Sequence, residues 1–192
     1  MKHGGTKRLE TERLILRRFT IGDAPQMYAN WASNPVITEF LTWPPHSSEE
    51  VSRQVLDSWV AGYARPNAYN WALELKENGE VIGSLSVVRA DDDIGELELG
   101  WCMSRAHWGR GLMPEAAKAV VDYLFNEVGA NRVCAKHDVN NPKSGRVMQK
   151  IGMRPEGVLR QAGRNNRGVV DLAVYALLAS DRREDAIHPE GE

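Results

Sequence analysis

The stretch from Leu97 to Glu127 decides the fold, and it reads LELGWCMSRAHWGRGLMPEAAKAVVDYLFNE. Its first seven residues alternate in polarity as a strand does. Apolar residues then recur every four positions from Leu112 to Leu124, which predicts an amphipathic helix. Gly109 and Gly111 lie between the two segments. They indicate a tight strand-to-helix turn, because glycine adopts positive φ and lets a ligand approach the backbone.

This turn is a candidate anion site. The unpaired N–H groups and the positive dipole end of the following helix point into it, which suits a phosphate or pyrophosphate. Arg105 and Arg110 add positive charge beside it. A turn without any ligand is the alternative. The Rossmann fingerprint does not fit, since Pro114 stands where its third glycine belongs, and the Gly-Lys-Ser/Thr of a Walker loop is absent.

The composition narrows the class of protein. We interpret the 192 residues as a single domain (1–192) with a core at about 8–178 and a charged tail at 180–192. With 24 Lys and Arg against 26 Asp and Glu, a net charge of −2 argues against nucleic acid as a partner. No apolar run approaches membrane-spanning length, and residues 1–12 are too polar for a signal peptide. We therefore expect a cytoplasmic protein with no membrane partner.

The two cysteines, Cys102 and Cys134, fall inside predicted strands, and we interpret both as buried, reduced thiols. A zinc site needs more ligands at closer spacing than the sequence offers, so no metal is expected.

The remaining periodicities predict the order β-α-α-β-β-β-α-β-α-β-β, an α/β (α+β) fold with a mixed sheet and helices on both faces. A helix capped by Thr20 runs toward Trp31, and Ser47-x-x-Glu50 predicts a capping box for the next helix. Asn78-Gly79 is a strong hairpin sequence. The predicted strands are 14–19, 71–75, 81–87, 95–103, 132–137, 153–160 and 168–178, and the two later helices are 112–127 and 144–150.

Three segments of the chain are distinctive when taken together. They are Leu9–Arg17 (LETERLILR), Glu98–Trp101 (ELGW) with Trp108–Ala116 (WGRGLMPEA), and Asn140–Met153 (NNPKSGRVMQKIGM) with Glu156-Gly157 after it. In these segments the chain resembles the GNAT superfamily of acyl-CoA N-acyltransferases, and within it the RimJ/RimL-type N-acetyltransferases. The resemblance implies a GNAT-like, mostly antiparallel sheet in which strands 95–103 and 132–137 splay apart to admit the cofactor.

The resemblance also implies an activity. The chain would transfer acetyl from acetyl-CoA to a primary amine, directly and in a ternary complex. A protein N-terminal α-amine is the RimJ/RimL-type acceptor, and a small amine, a polyamine or an antibiotic is the open alternative. The alternative outside the enzymes is a catalytically silent protein that only binds acyl-CoA. We expect a monomer or a homodimer.

The family pattern assigns acetyl-CoA to the glycine turn and to the strand before it. The pyrophosphate would lie on Trp108–Leu112, and the pantetheine arm would pair with the backbone of Trp101–Met103. The residues expected to bind acetyl-CoA are Trp101, Cys102, Met103, Arg105, His107, Trp108, Gly109, Arg110, Gly111, Leu112, Asn140, Asn141 and Ser144.

The chemistry needs a base for the amine and an acid for the departing thiolate. Glu98 is the candidate base, with Glu96 or a water chain as alternatives, and His107 or His137 less favoured. Met148 stands at the position where many family members carry a tyrosine that acts as the acid. Ser144 matches a serine of RimL-like enzymes and is therefore the candidate acid. The competing interpretation is that Ser144 only caps its own helix. The glutamate that RimL-like enzymes carry in the region that corresponds to Gly163 is not evident in this chain.

Two further groups complete the expected site. A backbone N–H near Cys102 or Met103 would stabilise the oxyanion, and a covalent role of Cys102 is disfavoured because direct transfer needs no acyl-enzyme. The predicted acceptor wall consists of Trp43, His46 and Tyr69, whereas Trp31 is assigned to the core.

Overall fold

In the computed structural model, which describes residues 1–182, eight strands form a sheet in the order β1-β2-β3-β4-β5-β6-β8-β7. The strands are β1 (Leu9–Glu10), β2 (Leu14–Arg18), β3 (Asn70–Leu75), β4 (Val81–Asp91), β5 (Glu96–Met103), β6 (Arg132–Asp138), β7 (Arg154–Asn165) and β8 (Gly168–Leu178). The helices are α1 (Ala24–Met27), α2 (Pro35–Thr38), α3 (Glu49–Gly62), α4 (Leu112–Tyr123) and α5 (Pro142–Lys150).

The sheet carries helices on both faces, as predicted, because its central strands bury the side chains that point to either face. Trp71 and Leu73 of β3 pack in one apolar cluster with Val120 of α4. Ala72, between them, belongs to a second cluster with Leu56 of α3. This alternation follows from the two-residue period of a strand. It places α4 and α5 on one face of the sheet and α1 to α3 on the other.

The sheet opens between β5 and β6, and this opening creates the site. The two strands pair in parallel over Glu96–Leu99 and Arg132–Ala135. Beyond that point Gly100–Met103 pairs with β4, and Lys136–Asp138 pairs with β8. The other strand pairs between β1 and β8 are antiparallel. The expected mostly antiparallel sheet with a splayed pair is therefore confirmed.

The first helical segment begins where the sequence predicts but is not regular. The N–H of Thr20 bonds to the carboxylate of Asp23 at 2.7 Å, and a short 3₁₀ turn leads into α1. A π-helical turn follows at Tyr28–Ala32 and buries Trp31 in the second cluster. Asn34 then caps α2, its side chain accepting from the N–H of Val36 at 2.9 Å.

Two predicted helix starts were wrong by one or two residues. Ser48, not Ser47, caps α3, since its hydroxyl accepts from the N–H of Val51 at 3.4 Å. The last helix, α5, begins at Pro142 rather than at Ser144. A proline suits a first helical position because its missing N–H would have no partner there.

The end of the described chain is anchored to the sheet. Residues 179–182 are helical, and the N–H of Leu178 donates to the carboxylate of Asp181 at 2.9 Å. Asp181 is 8% exposed. The first residues of the charged tail predicted at 180–192 are therefore tied to the sheet, and residues 183–192 lie outside the described residues. No helix within residues 1–182 is long and apolar enough to cross a membrane.

Candidate active site

A cleft of about 610 Å³ lies at the splay of β5 and β6. Its walls come from α2 with the loop that follows it, the end of β5, the glycine turn, the start of α4, and α5 with the loop before it. Ten of the residues predicted to bind the cofactor line it: Trp101, Cys102, Met103, Trp108, Gly109, Gly111, Leu112, Asn140, Asn141 and Ser144.

The glycine turn has the backbone geometry that the sequence predicts. Gly109 and Gly111 have φ of 77° and 76°. A Cβ on Gly109 would meet nothing within 4 Å, so the backbone is open to a ligand. The helical ladder of α4 starts with the N–H of Glu115 donating to the carbonyl of Gly111 at 3.2 Å. Because the N–H groups before it have no helical acceptor, those of Leu112 and Met113 are available to an anion.

The end of β5 presents free backbone groups to the opening. The N–H of Ser104 donates to the carbonyl of Ile82 in β4 at 2.7 Å. In an antiparallel pair the hydrogen-bonding direction alternates along the strand. The N–H groups of Trp101 and Met103 therefore point away from β4, toward the splay, while that of Cys102 points to β4. Of the two predicted oxyanion donors, Met103 has the suitable direction.

Trp108 joins two walls of the cleft. Its indole N–H donates to the carbonyl of Met103 at 2.9 Å, and the Lys143 ammonium lies 4.3 Å from the centroid of its rings. This contact is a cation–π interaction between the glycine turn and α5.

One face of α5 makes part of the cleft basic. Lys143, Arg146 and Lys150 line the cleft. None of the three is among the predicted site residues, although their spacing of three and four residues places them on one face of a helix. Together with the start of α4 they make this wall suitable for phosphate groups.

Ser144 lies in the first turn of α5, facing the cleft. It is the third residue of that helix, and the residue before the helix is Asn141. The competing interpretation, that Ser144 caps α5, is therefore not supported by its position. Met148 is 1% exposed in the core.

Three predicted cofactor residues do not line the cleft. Arg105 is exposed beside it. His107 is 7% exposed, and its Nδ1 accepts from the guanidinium of Arg110 at 3.1 Å. The Nε2 atom of His107 lies 3.5 Å from the carboxylate of Glu80. These contacts brace the outer side of the glycine turn.

The candidate base Glu98 does not line the cleft either. Its carboxylate accepts from Lys136 at 2.8 Å and from Arg89 at 3.3 Å. Glu96, on the same side of β5, is paired with Arg132 at 2.5 Å and also with Arg89. Glu96 lines a separate pocket of about 300 Å³ on the sheet. The structure does not bring either carboxylate to the cleft wall.

The two remaining candidate groups, Cys102 and His137, are partly buried. Burial raises the pKa of the Cys102 thiol to about 11, and its Sγ lies 3.3 Å from the hydroxyl of Ser84. His137 donates from Nδ1 to the carbonyl of Asp138 at 2.7 Å, and its Nε2 is buried without a hydrogen-bond partner. A Cβ on Gly145 of α5 would lie 2.7 Å from that Nε2. His137 thus packs beneath α5 and does not face the cleft.

The predicted acceptor residues do not line the cleft, and the loop beside them does. Tyr69 is 2% exposed and stacks on Trp71 in the core. His46 is buried, its ring nitrogen 2.8 Å from the hydroxyl of Ser52, and burial lowers its pKa. Trp43 packs against His46, with ring centroids 5.2 Å apart. The residues that reach the cleft from this side are Val36, Ile37, Glu39, Phe40 and Leu41.

The loop after α2 is held by the tip of the β7–β8 hairpin, a connection that the sequence analysis missed. The side-chain amide of Asn166 donates to the carbonyls of Thr38 and Trp43, each at 2.8 Å. The guanidinium of Arg167 lies 3.7 Å from the Glu39 carboxylate and 5.4 Å from the centroid of Phe40. Glu39 provides the one carboxylate among the described residues that line the cleft.

Comparisons with known proteins agree with this architecture. A family model described as an acetyltransferase (GNAT) domain matches residues 13–154. The Bacillus subtilis protein YoaA, described as an uncharacterized N-acetyltransferase, is 31% identical over 170 residues, 88% of this chain and 96% of that protein. The ribosomal-protein-serine acetyltransferase of Escherichia coli is 29% identical over 141 residues, 73% of this chain and 78% of that protein.

Solved structures share the fold over nearly the whole chain. An acetyltransferase (GNAT family) from Bacillus anthracis superposes with a TM-score of 0.79 at 25% identity, covering 90% of this chain and 98% of that one. A RimL ribosomal-protein acetyltransferase in complex with coenzyme A superposes with a TM-score of 0.81 at 20% identity, over 90% and 98% of the two chains. The family model, the sequence relatives and the splayed sheet agree, and the chain belongs to the GNAT family of N-acetyltransferases.

Proposed function

We propose that the chain transfers the acetyl group of acetyl-CoA to a primary amine, directly and within the cleft at the β5–β6 splay. The observation that carries this proposal is the convergence of three features on one cleft: the open start of α4, the outward-facing backbone of Trp101 and Met103, and the basic face of α5.

The lining residues of the cleft include a basic group on α5 and a second group around the carboxylate of Glu39, and we assign different roles to the two groups. The N–H groups of Leu112 and Met113 with Lys143, Arg146 and Lys150 would bind the pyrophosphate and phosphate oxygens. The free edge of β5 would pair with the amide groups of the pantetheine arm. The segment Val36–Leu41, which comprises most of α2 and the loop after it, would contact the acceptor.

Ser144 is the proposed acid. As the acceptor nitrogen bonds to the acetyl carbon and the carbon–sulfur bond breaks, the thiolate takes a proton from the Ser144 hydroxyl. The N–H of Met103 is the proposed oxyanion donor, because it points into the splay. After it has bonded to the acetyl carbon, the acceptor nitrogen carries one extra proton and returns it to the serine, so that the products are a neutral amide and the thiol of CoA.

Glu98 remains the proposed base, acting through water because it lies outside the cleft wall. Its ion pairs with Lys136 and Arg89 fix it in place on β5. Glu39 lies on the cleft wall, next to Phe40 and Leu41, and it would attract a cationic acceptor amine to that end of the cleft.

We infer that the acceptor is an N-terminal α-amine of a protein. The name of the E. coli relative, a ribosomal-protein-serine acetyltransferase, supports this class of acceptor. A small amine or an antibiotic would enter the same cleft. Only an activity assay distinguishes such an acceptor from a peptide.

Steady-state turnover tests the proposal. CoA release would be followed with acetyl-CoA and a panel of N-terminal peptides, polyamines and aminoglycosides. We expect turnover with a peptide and intersecting double-reciprocal lines, the pattern of a ternary complex. Parallel lines would indicate an acyl-enzyme instead. CoA binding with no turnover on any amine would favour a silent acyl-CoA-binding protein.

A further inference from the structure

The side chain of Arg13, on the β1–β2 connection, reaches the glycine turn of the cleft from outside. One guanidinium nitrogen donates to the carbonyl of Arg110 at 2.9 Å. The other two nitrogens contact the Glu115 carboxylate at 2.7 and 2.6 Å. The planar, multi-donor guanidinium is suited to such a double contact, which a lysine cannot reproduce.

The Glu115 carboxylate is held from the same connection by two further donors. The hydroxyl of Thr11 donates to it at 2.6 Å, and the backbone N–H of Arg13 donates at 2.9 Å. Burial alone would raise the pKa of Glu115, but the bonds from Thr11 and Arg13 outweigh it and keep the pKa below its usual range. Glu115 therefore stays charged in the first turn of α4.

The turn needs this external support because of its own composition. Gly109 and Gly111 give it two residues in the left-handed region, and glycine is the most conformationally free residue. The guanidinium of Arg13 lies beside Gly111, where a Cβ would come within 3.6 Å of it. Its bond to the Arg110 carbonyl holds the peptide group that joins Arg110 to Gly111.

The ion pair also has an electrostatic consequence. A carboxylate in the first turn of a helix interacts well with the helix dipole, but it repels an anion bound at the same helix end. Arg13 compensates the charge of Glu115 without entering the cleft, since neither residue lines it. Loss of Arg13 would therefore both loosen the turn and leave a negative charge next to the anion site.

We propose that Thr11, Arg13 and Glu115 form a positioning clamp that sets the geometry and the potential of the pyrophosphate-binding turn. This inference rests on the proposed use of that turn for the pyrophosphate of acetyl-CoA. The clamp acts through the turn and touches no reacting atom, so it governs cofactor affinity and not the chemical step.

Calorimetry with three ligands tests the clamp: CoA, 3′-phospho-ADP, which contains the pyrophosphate, and S-acetylpantetheine, which does not. Arg13→Ala should weaken the binding of CoA and of 3′-phospho-ADP about tenfold, as expected for lost charge-assisted bonds. The affinity for S-acetylpantetheine and kcat at saturating acetyl-CoA should stay within twofold of the unsubstituted protein. Arg13→Lys should recover only part of the loss.

A second variant separates the electrostatic part of the clamp. Adding Glu115→Gln to Arg13→Ala removes the uncompensated charge and should recover some CoA affinity, while the loosened turn remains. The matched control is Arg8→Ala, which breaks an exposed ion pair with Glu10 at 2.8 Å on the same segment and should change no affinity. If Arg13→Ala fails to fold, Thr11→Val provides a milder test. It should lose less affinity than Arg13→Ala, and for the same two ligands, CoA and 3′-phospho-ADP.

The outcomes are distinguishable. If a folded Arg13→Ala protein bound CoA with an affinity within twofold of the unsubstituted protein, the proposed clamp would be overturned. An equal loss of affinity for all three ligands would also overturn it. If the unsubstituted protein itself bound no CoA, the proposed function would fail first and the clamp with it.

Discussion

The side-chain amide of Asn166 donates to the carbonyl of Trp43 at 2.8 Å and ties the tip of the β7–β8 hairpin to the loop after α2. The backbone N–H of Asn166 also donates to the carbonyl of Leu41 at 3.2 Å. Leu41 lines the cleft, whereas Trp43 lies behind it. The hairpin tip therefore fixes the wall that we assign to the acceptor.

Removing this tie should affect the acceptor alone. In Asn166→Ala the loop loses two side-chain bonds, so we expect the KM for the acceptor to rise about tenfold, while the affinity for acetyl-CoA is unchanged. Steady-state kinetics with each substrate varied in turn measures the split. Arg160→Ala, on the exposed part of β7, is the control. A rise in the KM for acetyl-CoA equal to that for the acceptor would contradict the assignment.

Gly111→Val should weaken CoA binding tenfold or more with the fold retained. A β-branched residue is strained at a φ of 76° by about 1–3 kcal/mol, and it would crowd the turn. Gly79→Val is a matched control, because Gly79 has a φ of 74° in the β3–β4 hairpin, where a Cβ meets nothing within 4 Å. Both variants should melt at lower temperature. Calorimetry should find lost CoA affinity in Gly111→Val and normal affinity in Gly79→Val.

Ser144→Ala separates a catalytic role from a structural one. Loss of the acid should lower kcat by roughly a hundredfold and leave CoA affinity intact. Ser48→Ala removes a real cap, that of α3, and should cost about 1 kcal/mol of the free energy of unfolding with normal turnover. Thermal melts and steady-state rates on both proteins decide between the roles. A fully active Ser144→Ala protein would falsify the catalytic assignment.

Cys102→Ala should retain most of the turnover. With its pKa raised to about 11, the Cys102 side chain is a neutral thiol at every pH well below that value, so it does not act as a thiolate nucleophile. Initial rates at pH 7.5 measure this, and alkylation by iodoacetamide should be slow at the same pH. A loss of turnover above a hundredfold would point to an acyl-enzyme and contradict direct transfer.

The glycine turn and the helices on both faces could be predicted because each has a local pattern, whereas the splay of β5 and β6 was implied only by the resemblance to the GNAT superfamily. The π-helical turns at Tyr28–Ala32 and Leu124–Val128 could not be, since a π turn shares the apolar spacing of the α-helix around it. Ser47 and Ser48 are adjacent serines that the sequence does not distinguish; in the structure Ser48 is the cap, with an extended backbone of φ −157° and ψ 165°.

The acceptor side was the hardest part to predict. Tyr69 and His46 are aromatic residues in flanking segments, and the sequence does not tell whether such side chains face a cleft or the core. The contact between Asn166 and Trp43 joins residues 123 positions apart. Lys143, Arg146 and Lys150 have helical spacing, but a solvated charged face has the same pattern as a phosphate-binding wall.

Mass spectrometry of a peptide incubated with acetyl-CoA and the protein tests directly whether the chain transfers acetyl to an amine. We expect one acetyl group on the α-amine of an N-terminal peptide, formed at a rate that falls in Gly111→Val at limiting acetyl-CoA. Absence of an acetylated product from every peptide and amine tested, in a protein that still binds CoA, would contradict it.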